Sequence, residues 1–186
     1  MNKTVQLIYI KGIIPEENLE LIRSKLDNHD IGFEWHDISG APQAAMSDLV
    51  APIILSLSSD VVQAYILGLA NSASYDLLKL SILEIWHKIT GKKYNKITSN
   101  GIQELEASFD LNVDTPGKTK FKFKLSGNIP DDLKEKCIDK AFQLIESKSI
   151  TVNRTGYICN YDTDNKQWER LEQLEFIKKY IIPKKG

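Results

Sequence analysis

Apolar and polar positions follow three rhythms along this chain. Val5-Gln6-Leu7-Ile8-Tyr9-Ile10 is β-branched and aromatic on both faces and predicts an interior strand. Lys11-Gly12 ends it. Pro15 suits the first turn of a helix, where a missing N–H costs nothing, and Glu16 and Glu17 then sit at the positive end of its dipole. Leu19, Ile22 and Leu26 recur at helical spacing, and Asn28 to Gly32 supplies the stop. Phe33 to Ile38 predicts a second strand. A strand–helix–strand of this length implies a right-handed crossover between parallel neighbours.

The middle is apolar and almost free of charge. After the Ser39-Gly40-Ala41-Pro42 break, a helix is expected from about Gln43 to Leu57, kinked or divided by Pro52. Ser58-Ser59-Asp60 offers N-caps for a second helix from Val61 to about Ile89. On such a helix Ala64, Gly68 and Ser72 lie four apart, and Asp76 continues the row. A ridge of small residues lets another backbone approach closely; in lipid it is a dimerisation face, and in a protein core it seats a neighbouring helix. These four residues are the candidate interaction surface.

Gly91 to Lys96 is polar and basic and marks a boundary, dividing the chain into 1–92 and 93–186, two parts that can still pack as one unit. Beyond it the period becomes two. Leu105, Ala107, Phe109, Leu111 and Val113 alternate with polar residues. After Asp114-Thr115-Pro116-Gly117, Lys118, Lys120, Lys122 and Lys124 alternate with Thr119, Phe121, Phe123 and Leu125. Directly paired residues in a hairpin share a face, so matching apolar to apolar requires paired numbers with an even sum and a loop of odd length. Pro130-Asp131-Asp132 then starts a helix with Leu133, Cys137, Ile138, Ala141, Leu144 and Ile145 on one face. Tyr157–Tyr161 and Trp168–Leu171 predict a second hairpin, with Tyr161 opposite Trp168 across a loop of turn formers. Phe176 to Ile182 is apolar enough to dock. The fold class is α+β: a strand–helix–strand front, a central apolar helical hairpin, and a β-hairpin–helix–β-hairpin back.

Charge narrows the partners. The 186 residues carry 24 Lys+Arg against 25 Asp+Glu, a formal net charge of −1. That balance argues against nucleic-acid binding by counterion release and against a polybasic membrane binder. Only Arg23, Arg154 and Arg170 are arginines, which weakens phosphate and base recognition further. From Ile38 to Leu78 the only charges are Asp48, Asp60 and Asp76. A spanning helix needs roughly 20 apolar residues, and Asp60 and several serines interrupt this region. Burial is the expectation, with a membrane-acting hairpin over Val50–Tyr75 as the alternative. Two cysteines do not make a disulfide framework, and no signal-like apolar stretch follows Met1, so the expected setting is the cytoplasm.

Chemistry is scarce. His29, His36 and His87 fall in three different elements without metal-ligand spacing, and Cys137 and Cys159 have no near partner, so no metal is expected. Cys137 lies on an apolar helix face, where an inert thiol is the reading. There is no Gly-x-Gly-x-x-Gly, no Walker loop and no Gly-x-Ser-x-Gly, hence no expected cofactor or nucleotide. His36-Asp37, at the exit of the second strand, is the best catalytic-looking pair and supports an alternative reading as a small hydrolase. Asp162-Thr163-Asp164-Asn165 begins like a calcium loop but has Gln167 and Gln173 where Gly and Glu are needed.

The order of elements, with Met46-Ser47-Asp48-Leu49 in the uncharged pair and Glu84-Ile85-Trp86-His87-Lys88 closing the long helix, resembles the effector-associated constant-component family of bacterial conflict systems. The likeness spans about residues 1–125 and leaves the final helix and hairpin unmatched. It implies a non-catalytic adaptor joining effectors to partners, with no active site to carry over. The expectation is therefore a non-enzymatic protein-interaction module, bacterial and self-associating.

Overall fold

The computed structural model describes residues 3–40, 53–67, 72–98, 101–125, 129–148, 156–173 and 175. Along the described chain run β1 (Thr4–Tyr9), α1 (Glu16–Asp27), β2 (Gly32–Asp37), β3 (Ile53–Leu57), α2 (Ser59–Ile66) and α3 (Ser72–Ile89). They are followed by β4 (Lys93–Thr98), β5 (Gly101–Glu106), β6 (Phe109–Asp114), β7 (Lys120–Leu125), α4 (Asp131–Lys148), β8 (Gly156–Asp162) and β9 (Gln167–Glu172). The class is α+β.

Among the described residues seven strands form one sheet in the order β2-β1-β3-β6-β7-β8-β9, and β4 pairs only with β5 as a separate arm. The parallel β1–β2 pair joined by α1 is as the strand–helix–strand pattern predicts. The even-sum rule holds in the β6–β7 hairpin, where Phe109 faces Leu125 and Val113 faces Phe121. Tyr161 faces Trp168 in the β8–β9 hairpin, with ring centroids 5.2 Å apart.

Alternation sorts the sheet into two unlike faces. Val5, Leu7, Ile53, Leu55, Leu57, Phe109, Leu111, Val113, Phe121, Phe123 and Leu125 share one face, none more than 2% exposed. Leu19, Ile22 and Leu26 of α1, Val61 and Val62 of α2, Ile82, Ile85 and Trp86 of α3, and Cys137, Ile138 and Ile145 of α4 pack against it in one core. All four described helices therefore lie on the same side. This has a consequence for handedness. β1 and β7 run in the same direction, yet β1 crosses over to a neighbour on one side and β7 to a neighbour on the other. With both helices on one face, the two crossovers have opposite hands. The β3-to-β6 connection shares the hand of β1–α1–β2, so the α4 crossover is the odd one of three. Such crossovers are almost always right-handed.

Three expectations are corrected. Ile53–Leu57 is not the end of a helix but β3, at the centre of the sheet between β1 and β6. A short apolar run cannot be told from buried helix by periodicity, and Ser58 and Pro52 bound it too closely for a helix. Residues 43–52 lie outside the described residues. Second, Val61 to Ile89 is two helices: α2 ends at Ile66, capped at Leu67, and α3 begins at Ser72. The central helices are thus α2 and α3, both following β3, and not a hairpin of 43–57 with 61–89. Third, the alternating run from Leu105 to Val113 is split between β5 in the arm and β6 in the sheet, and the expected linker contributes the first residues of β4. The break falls where Ala107 N–H donates to Lys92 C=O at 2.7 Å and Phe109 turns into the core. The expected boundary at 92–93 lies within the β3-to-β6 connection, so strands from both sides of it share one sheet.

Candidate functional site

The second face of the sheet is where polar side chains converge. The register aligns Glu34, Gln6, Ser56, Asn112 and Lys122 in one row across β2, β1, β3, β6 and β7. The neighbouring row holds Thr4, Ser58, Asp114 and Lys120, with Thr4 N–H donating to Ser58 Oγ at 3.1 Å and Asp114 paired with Lys120. Small side chains at Thr4, Ser56 and Ser58 leave a floor between longer ones. The result is an open basin of about 480 Å³ lined by these two rows without Lys122, together with Leu57. That volume is within the roughly 300–1,000 Å³ of small-ligand sites. Gln6, Glu34, Asp114 and Lys120 are exposed on its walls.

Two donors of the basin walls are engaged locally. Gln6 Nε2 donates to Glu34 Oε2 at 3.2 Å, and Lys120 Nζ donates to Asp114 Oδ2 at 3.3 Å. Lys122 Nζ lies 3.2 Å from Asp110 Oδ2, whose side chain is only 3% exposed. Both lysine pairs join an acidic side chain of β6 to a lysine of β7. Asn112 Oδ1 is buried and receives no hydrogen bond among the described residues. Among the described residues no histidine or cysteine lines the basin.

Beside it, Ile8 and Ile54 are partners across β1 and β3 and share the second face, both half-buried. Across the sheet, Ile158 faces Leu171 on the same side.

The sequence-predicted residues lie elsewhere. His36 and Asp37 are neighbours on a strand and so point to opposite faces: His36 shares the second face with Glu34, and Asp37 the helix-bearing face with Phe33. They cannot act as a dyad. Asp37 instead ties two strand exits together, its Oδ1 accepting from Ser39 N–H at 2.8 Å and Lys11 N–H at 3.1 Å. The Ser39 hydroxyl, then its N–H and that of Lys11, hold the Asp37 carboxyl below the ordinary value.

Ala64, Gly68, Ser72 and Asp76 do not form one ridge, because no single helix carries them. Ala64 is 7% exposed on α2, beside Tyr65, Ser74, Tyr75 and Leu78 around a cavity of about 40 Å³. Asp76 is exposed on α3, while Gly68 and the Ser72 side chain lie outside the described residues. Val61, Val62, Leu78, Ile82 and Ile85 account for the apolar middle by burial in the core. Among the described residues, no helix is long and apolar enough to cross a membrane.

The histidines are apart. His29 Nδ1 is 3.2 Å from Ser74 Oγ, and His87 Nδ1 is 3.5 Å from Asp131 Oδ1. Among the described residues no three His, Cys, Asp or Glu side chains are placed to hold a metal ion. Burial pushes the Cys137 thiol up to about 11 and the Cys159 thiol up to about 12. Asp162 is turn chemistry: its Oδ1 accepts from Asp164 N–H at 2.9 Å and Asn165 N–H at 3.0 Å.

Sequence reasoning missed the basin because its residues come from five strands. The signal available was Thr4 and Gln6 in β1, Ser56 in β3 and the alternate polar positions of β6, which says where each strand is wet but not which strands are neighbours. Comparison with family models, with curated proteins and with solved structures finds no match to this chain.

Proposed function

We propose that this protein is a non-enzymatic protein-interaction module that self-associates through the second face of its sheet. One observation supports the reading. Ile8 and Ile54 form a half-buried apolar spot beside a polar basin, on a face where no described helix packs. Apolar side chains surrounded by polar, wettable ones are the usual organisation of a protein interface. The adaptor role in a bacterial conflict system, and its cytoplasmic setting, belong to the same proposal; the role rests on the resemblance in element order.

Sedimentation velocity across a concentration series tests this, on wild type and on Ile8→Lys. That substitution places a charge on the spot and leaves the basin lining and the helix-side core untouched. Concentration-dependent sedimentation in wild type, lost in a folded Ile8→Lys, agrees with the proposal. A single monomeric species at every concentration contradicts self-association.

A further inference from the structure

We infer that the basin receives a guanidinium or ammonium group from a protein partner, an inference that rests on reading this face as a protein-interaction surface. The hydrogen-bond inventory gives the sign of the ligand. Lys120 is held by Asp114 and the Gln6 amide N–H by Glu34, so two donors of the walls are already used. Asn112 Oδ1 has no donor, and rotation about the broad terminal torsion of asparagine can turn it towards one supplied from the basin. The side chains with full charges are Glu34, Asp114 and Lys120, a net of one negative charge.

An anion entering here meets two carboxylates and one engaged lysine. Among the described residues no aromatic side chain lines the basin, so a nucleobase or sugar ring meets no stacking platform there. A cation carrying several N–H donors meets the opposite situation. Glu34 and Asp114 stand on opposite walls, three strand spacings across the sheet and one row apart, about 16 Å at the backbone. Between them the hydroxyl floor leaves room for a basic side chain to lie flat. A planar guanidinium, with donors in a fixed fork, suits carboxylate and amide acceptors best.

The test uses the full chain in nitrogen–proton correlation spectra, titrated with Nα-acetyl-arginine methylamide and with its uncharged citrulline counterpart. The arginine probe is expected to shift the amides of Gln6, Ser56 and Asn112 saturably, and the citrulline probe to leave them in place. In the double variant Glu34→Gln, Asp114→Asn, both changes being isosteric and exposed, affinity falls roughly tenfold. Ser56→Lys, which delivers its own ammonium to the floor, abolishes the response. The inference is overturned by the lack of any saturable shift, by equal responses to the two probes, or by unchanged affinity in the double variant. Spermidine binding at these amides more tightly than an arginine-containing peptide also overturns it, by replacing the partner with a free polyamine. If the arginine probe fails while the chain still self-associates, this inference falls and the interaction reading stands. If the probe binds and the chain stays monomeric, the cation site stands and self-association falls.

Discussion

Lys134 holds its ammonium 2.9 Å from Thr90 Oγ1, with 1% of its side chain exposed, and so ties α4 to the end of α3. The same Nζ lies 2.7 Å from Asp131 Oδ1 and 5.5 Å from the centre of the Trp86 ring. Thr90 Oγ1 in turn donates to Trp86 C=O at 2.9 Å, where the last turn of α3 concentrates negative potential.

The pair is asymmetric, and its variants follow. Lys134→Met removes the buried charge, keeps the volume and returns Asp131 to water, so unfolding free energy stays within about 1 kcal/mol of wild type. Asp131→Ala strips the counterion from a buried ammonium and loses more. Urea unfolding of both variants checks the ranking; Lys134→Met being the worse of the two contradicts it. The hydrogen bond from Lys134 holds the Asp131 carboxyl below its ordinary 3.8. A depressed folded pKa means that this contribution is complete above 3.8 and is lost as pH falls through the depressed value. Asp131→Asn should therefore flatten the acid limb of the stability profile.

Tyr75 carries a second α3–α4 tie. Its hydroxyl donates to Asp139 Oδ1 at 2.9 Å, and Lys79 Nζ bridges Asp139 at 2.7 Å and Glu135 at 2.9 Å. Burial first, then the bond to Asp139, raises the Tyr75 phenol well above its ordinary 10.0. A raised folded pKa gives stability that is complete below 10.0 and is lost as pH climbs towards the folded value. Tyr75→Phe should cost about 1 kcal/mol at neutral pH. It should also make alkaline unfolding less steep above pH 10.0, followed by circular dichroism.

The two thiols should be silent in the native state. With pKa values pushed up to about 11 and about 12 by burial, Cys137 and Cys159 carry almost no thiolate at mildly alkaline pH. Ellman's reagent should react with neither until denaturant is added, and then with both. Fast reaction of either thiol in folded protein contradicts the core placement.

Lys118 adopts a positive φ of 62° in the β6–β7 turn, where Thr115 accepts its N–H at 2.9 Å. A side chain in the left-handed region is strained and glycine is not. Lys118→Gly should raise stability by about 0.5 kcal/mol, the relief being partly offset by a more flexible unfolded chain. A loss of stability on this substitution contradicts the turn geometry.

Elements with an uninterrupted rhythm were readable from the chain. Leu19, Ile22 and Leu26 place α1, and the Lys/Phe alternation fixes the parity of the β6–β7 register and the burial of Phe121 and Phe123. Ile53–Leu57 was not readable, because five residues show no period and their strand character comes from pairing with β1 and β6. The long helix was over-read, since apolar residues on both sides of residues 68–71 conceal the end of α2 at Ile66. The basin was invisible for a related reason. Gln6, Ser56 and Asn112 are far apart in the chain and become neighbours only through the strand order β1-β3-β6.

The central claim is that copies of this chain meet on the second face of the sheet, and isoleucine methyl spectra recorded from dilute to concentrated protein test it most directly. The δ1 methyls of Ile8 and Ile54 should shift or broaden with concentration, while those of Ile22, Ile82 and Ile138, buried on the helix side, hold still. Signals from Ile8 and Ile54 that do not respond to concentration would contradict the claim, as would a response centred on Ile102, an exposed apolar residue of the β4–β5 arm.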